Sequence, residues 1–129
     1  MSTGVSGGPR NLLRLEGLSA LGAGLLTYHM LAGSWTLFLV LFLAPDLSML
    51  GYFAGPRVGG AAYNAVHTYV APALLAATMS VGLVTPNWGL CLIWASHIGL
   101  DRALGYGLKF SSDFRDTHLG KLGRANASA

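Results

Sequence analysis

The sequence predicts an all-α fold: a polytopic membrane protein with four transmembrane helices in a bundle and both termini cytoplasmic. Three observations carry this. Of 129 residues 53% are hydrophobic and only 10% charged, the mean hydropathy is +0.53, and the apolar residues fall into separate runs divided by Gly, Pro, Ser and Asn. A soluble domain is about one quarter charged. Eight Lys and Arg with five Asp and Glu are too few to solvate the high surface-to-volume ratio of a small domain. High apolar content argues against disorder, no heptads suggest a coiled coil, and Cys91 is the single cysteine, so a disulfide scaffold is excluded. The net charge of +3 comes from basic residues outside the apolar runs rather than from a basic stripe, which points to membrane topology and away from nucleic acid.

Residues 1–10 are Gly/Ser-rich and read as a flexible N-terminal segment, residues 11–108 as the transmembrane domain, and residues 109–129 as a short polar tail, read as solvated, with residues 113–120 folding back over the cytoplasmic mouth as the alternative. A spanning helix takes about 20 apolar residues. The first run extends from about Leu12 to Leu31 and ends at Ala32-Gly33-Ser34. Glu16 within it, and the runs that follow, set it apart from a cleaved signal peptide. The second, Trp35 to Phe53, stops at Gly55-Pro56-Arg57. The third continues from about Gly60 to Val84, with Pro72 tolerated as membrane helices tolerate proline. Thr85-Pro86-Asn87 turns the chain into the fourth run, Trp88 to about Leu108. Tyr28, Trp35 and Trp88 suit an aromatic belt, and His29 the opposite interface.

Basic residues orient the bundle, because cytoplasmic loops retain Lys and Arg. Arg10 and Arg14 begin the first helix, Arg57 lies between the second and third, and Lys109, Arg115, Lys121 and Arg124 follow the fourth. Arg102 lies near enough to its helix end to snorkel. The chain is expected in the inner (plasma) membrane, its partners being the lipid bilayer, a lipophilic small molecule and, given four short helices, further copies of itself in a homo-oligomer.

Ionisable groups in hydrocarbon are costly and face a bundle interior or a cavity. At about 1.5 Å rise per residue, Glu16, Asp46, Asn64, His67, His97 and Asp101 all fall within roughly 6–14 Å of one membrane face. Asn64 and His67 are i,i+3, His97 and Asp101 are i,i+4, and Tyr63 is i,i+4 from His67, so each set shares a helix face. Pro45 removes a backbone hydrogen bond and kinks helix two beside Asp46. Polar glue is a poor use of such residues, since an interhelical hydrogen bond contributes only about 0.6 kcal/mol.

Two histidines among carboxylates are the ligand types for Zn, Mn or Fe, and helical bundles assemble such sites from inward-facing positions. The expected ligands are Asp46, His67, His97 and Asp101, with Glu16 as general base and Tyr63 and Asn64 touching substrate. The reading is a small intramembrane enzyme acting on a lipophilic molecule from the cytoplasmic half of the bilayer. Two alternatives stay open. One is metal-free acid–base isomerisation or cyclisation of an apolar substrate. The other is a proton-coupled carrier or assembly partner.

The strings Arg14-Leu15-Glu16-Gly17, Pro45-Asp46-Leu47-Ser48 with Gly51-Tyr52, Tyr63-Asn64 through His67-Thr68-Tyr69 to Pro72, His97-Ile98-Gly99 with Asp101-Arg102, and Thr117-His118-Leu119-Gly120 resemble an uncharacterised family of four-helix bacterial membrane proteins. The likeness covers about residues 12–122 and implies fold and location. Pro45-Asp46 and His97-x-x-x-Asp101 are also similar to fragments of the membrane-bound metal-dependent hydrolases. Those proteins carry a further Asp-His and a His-x-x-x-x-His-Ser stretch that this sequence lacks. The second likeness therefore implies metal binding at Asp46, His97 and Asp101 and nothing more.

Overall fold

The structure, a computed structural model, describes residues 4–123. It is helical with one small hairpin: α1 (Gly7–Met30), α2 (Trp35–Phe42), a 3-10 segment (Ala44–Ala54), α3 (Pro56–His67), α4 (Val70–Ser80), α5 (Trp88–Leu104), β1 (Asp116–Thr117) and β2 (Gly120–Lys121). By length and composition, among the described residues, one helical stretch is long and apolar enough to cross a membrane, Trp35–Ala54, which comprises α2 and the 3-10 segment.

The expected second and third runs are each broken, and a proline explains each break. Pro45 lacks the N–H that would bond Leu41, so α2 ends at Phe42 and the chain tightens into 3-10 geometry, with the Asp46 amide donating to the Leu43 carbonyl at 3.0 Å. Pro72 likewise cannot donate to Thr68, whose backbone is extended (φ −98°, ψ 142°), and residues 60–84 form two helices instead of one. Carbonyls released at the end of α3 are taken up by α5. Val66 accepts from the Trp94 indole at 2.7 Å and His67 from the Arg102 guanidinium at 2.8 Å.

Helices α1 and α5 run antiparallel at close range. A methyl on Gly17 would overlap Arg102, one on Gly24 would overlap Ser96, and one on Gly99 would lie 2.6 Å from the Gly17 carbonyl oxygen. Small residues on both sides let the backbones touch. The apolar core at the other end gathers Tyr28, Phe38 and Ile93. Tyr28 is thus buried, its hydroxyl donating to the Ser34 carbonyl at 2.7 Å, and does not stand in an interfacial belt.

The C-terminal segment departs most from expectation. Instead of a solvated tail, residues 107–122 fold back on the helix ends, burying Lys109, Thr117 and Leu119. The Leu108 amide donates to His118 Nδ1 at 2.8 Å, and the Val5 amide donates to the His118 carbonyl at 2.6 Å. Residues 4–10, expected to be flexible, therefore begin α1 and pair with the tail. The expectations for residues 1–3 and 124–129 lie outside the described residues.

Candidate metal centre

Asp46 is in the first turn of the 3-10 segment, His67 is the last residue of α3, and His97 and Asp101 lie one turn apart on α5. The breaks after α2 and α3 turn their chain ends toward the unbroken α5. His67 and His97 are 0% and 2% exposed, while the side chains of Asp101 and Asp46 are 14% and 33% exposed. One donor atom from each of these residues lies within 4.8 Å of all the others, so the buried cluster can hold a metal ion.

The individual separations are tighter. His67 Nε2 is 3.1 Å from His97 Nε2, 3.3 Å from Asp46 Oδ1 and 3.5 Å from Asp101 Oδ2. His97 Nε2 is 3.3 Å from Asp46 Oδ1 and 3.4 Å from Asp101 Oδ2. These five separations join the two imidazole nitrogens to each other and to both carboxylates, so a single ion placed among them could be bound by all four side chains.

Electrostatics make the same demand. His67 Nδ1 lies 2.9 Å from the Tyr63 carbonyl, an acceptor only, so this nitrogen carries the proton and donates it. The neutral ring then presents its Nε2 lone pair to two carboxylate oxygens and another imidazole. Four converging lone-pair donors repel unless a cation or shared protons sit among them. His97 Nδ1 is turned toward the Phe42 backbone without reaching hydrogen-bond geometry, and the Phe42 ring meets the imidazole edge-on at 5.3 Å.

Tyr63 braces the cluster. Its ring stacks on His67 at 3.7 Å and 6°, and its hydroxyl donates to Asp101 Oδ2 at 3.3 Å. Outer partners of this kind fix ring orientation and raise ligand basicity. The Lys109 ammonium lies 4.8 Å from the Tyr63 ring centre and 4.0 Å from that of Phe114. Because the imidazole occupies one face of Tyr63 at van der Waals distance, the ammonium takes the other. Burial pushes the Lys109 pKa down to about 8, partly opposed by Asp101.

Not every expected residue joins. Asn64 spends its amide on the tail: Nδ2 donates to the Lys109 carbonyl at 2.7 Å, and Oδ1 accepts from the Lys109 amide at 2.6 Å. Glu16 is exposed on α1 and acts electrostatically on Tyr69, outside the cluster. Arg102 does not snorkel; it is buried and donates to the carbonyls of His67 and Tyr106. Lys109 and Trp94 carry no site signal in the sequence, where a basic residue after an apolar run reads as a membrane anchor and a tryptophan within one as packing.

The arrangement of residues 10–122 matches the family described as Domain of unknown function (DUF4260). The chain belongs to that family. The family description carries no activity, and no curated protein and no solved structure matches the chain. What this member can do must be argued from its own geometry.

Proposed function

We propose that this chain is a metal-dependent membrane enzyme acting on a lipophilic small molecule. The observation that carries the reading is the set of five 3.1–3.5 Å separations that join His67 and His97 to each other and to Asp46 and Asp101. The donor set of two imidazoles and two carboxylates favours zinc, because manganese prefers octahedral oxygen-rich sites and non-haem iron(II) keeps several open positions.

The ligands differ in how firmly they are held. His67 and Asp101 are braced by Tyr63, and His97 is packed within α5, whereas among the described residues no side-chain partner outside the cluster holds the more exposed Asp46. His67, His97 and Asp101 would form a shell of two imidazoles and one carboxylate, the pattern in which catalytic zinc keeps a position for water. An ion held there would supply a Lewis acid and an activated water, and Asp46, the most exposed of the four side chains, would be the one placed to take up a proton. This gives the general-base role, expected at Glu16, to Asp46.

The membrane setting rests on the exposed apolar surface. Phe53, Leu83, Met30, Leu39 and Val81 are each at least 72% exposed, more than water tolerates in one small chain. We place the protein as a multi-pass protein of the inner (plasma) membrane, with Arg10, Arg14, Arg102 and the hairpin at the cytoplasmic end.

Metal analysis of the protein purified in detergent tests the centre, with His67→Ala and His97→Ala alongside. About one ion per chain is expected in the wild type, falling by more than the ~10–100-fold affinity loss typical of an outer-shell change in either variant. Sub-stoichiometric metal that is unchanged in the variants would overturn the metal centre. Turnover insensitive to chelators would then favour acid–base chemistry, and substrate-dependent proton flux in vesicles would favour a carrier.

A further inference from the structure

A cavity of about 340 Å³ lies between α2, the 3-10 segment, α3, α4 and α5, lined by Leu41, Pro45, Val66, Leu75, Ile93 and Trp94 among others. Its walls are almost wholly apolar. The one side-chain donor among these residues, the Trp94 indole N–H, is already given to the Val66 carbonyl at 2.7 Å. A cavity of this composition stays dry or fills with hydrocarbon.

Its position relates it to the metal centre. Pro45 and Val66 immediately precede Asp46 and His67 in the chain, and Ile93 and Trp94 lie one helical turn before His97 on the same face of α5. His97 therefore shares a helix face with the cavity wall, and Asp46 and His67 are chain neighbours of wall residues. Ala44, also in the lining, is exposed, so the cavity opens on the outer surface, where the chain neighbours Leu43 and Leu47 are 63% and 67% exposed. A molecule dissolved among lipid chains can reach it sideways without crossing water.

We infer that this cavity holds the hydrocarbon chain of a single-chain amphiphile whose polar head lies at the Asp46–His67–His97–Asp101 centre. At about 30 Å³ for each water-sized group the volume takes on the order of ten carbons. The inference rests on the metal-dependent reading and narrows its substrate class.

The test uses a full-length chain in phosphatidylcholine nanodiscs in which Trp35→Phe and Trp88→Phe leave Trp94 as the remaining tryptophan. Cobalt(II) is loaded to report on the centre, and the probes are terminally brominated alkanoic acids of graded length. Saturable quenching of Trp94 is expected, with the lowest half-saturation near ten carbons, together with a change in the cobalt absorption bands as the carboxylate arrives. Ala44→Phe and, independently, Leu75→Phe should each raise half-saturation at least ~10-fold by filling the cavity, with the bands of the probe-free cobalt protein kept. Quenching that is linear, indifferent to chain length and unmoved by both variants means ordinary bilayer lipid reaches Trp94, and overturns the inference while cobalt binding still stands. Failure to bind cobalt at all would remove the metal centre itself, and with it the head-group half of the inference.

Discussion

The contact between α1 and α5 and the junction of α3, α5 and the 3-10 segment are built in opposite ways. The first joins two unbroken helices of 24 and 17 residues through Gly17, Gly24 and Gly99, none of which is a cluster residue. The second joins helix ends, and two of its four cluster residues, Asp46 and His67, stand at chain breaks. Neighbours on an intact helix surface are separated by about 5–6 Å at Cβ. Bringing donors from three elements within 3.5 Å is easier where a chain end can be turned inward. Interrupted helices supply Asp46 and His67, and the intact α5 supplies His97 and Asp101 while also serving as frame.

The largest effect should come from breaking the frame. Gly99→Ala places a methyl 2.6 Å from the Gly17 carbonyl oxygen and 2.8 Å from the Leu21 amide, and backbone at that distance cannot step aside. Overpacking of this kind costs about 1–3 kcal/mol, enough to lower the thermal midpoint by several degrees. Metal content per folded chain should stay unchanged. If it falls in proportion to stability, the frame and the centre are not separable and the contrast fails.

An intermediate effect should come from the junction. Tyr63→Phe keeps the ring stacked on His67 and removes only the hydroxyl bonded to Asp101, so stability should change little while zinc affinity drops about 10-fold. Competition with a chromogenic chelator measures it. An unchanged affinity would show that Asp101 is held by α5 alone.

Much of the junction is legible in the sequence, because polar residues in apolar runs have few places to go. Counting the helical rise places Asp46, His67, His97 and Asp101 at one depth, and the i,i+4 spacing puts His97 and Asp101 on one face; the structure brings these four together. Depth alone does not separate a cluster residue from an outward-facing one. Glu16 shares the depth, but Gly17 rather than Glu16 is on the buried face of α1. The breaks are half legible: Pro45 reads as a kink, whereas Pro72 reads as tolerated within a span, because proline's effect depends on whether neighbours bond the freed carbonyls. Arg102 and Trp94 do so here from a distant helix. Long-range pairs such as Asn64 with Lys109 leave no periodic trace, and so the folded-back tail reads as solvated.

The smallest effect should come from that tail, where one of the contacts that dock the hairpin is made by a neutral imidazole. His118 Nδ1 accepts the Leu108 amide proton, which it can do only while unprotonated. Burial first, and then the neighbouring Arg102 guanidinium, hold the His118 pKa below its ordinary 6.5. As pH falls through 6.5 the unfolded segment binds a proton before the folded one does, so the tail's stability is complete above that value and declines below it. Hydrogen exchange at the Leu108 amide should therefore be faster at about pH 5.5 than at about pH 7.5, after correction for intrinsic rates, and residues 109–123 should become easier to cleave. His118→Gln, whose amide oxygen can accept the same bond without titrating, should remove the pH dependence while keeping the hairpin docked. Equal protection of the wild type at both pH values would mean that burial of Thr117 and Leu119 holds the tail unaided, and the junction would then owe nothing to a titrating group beyond its edge.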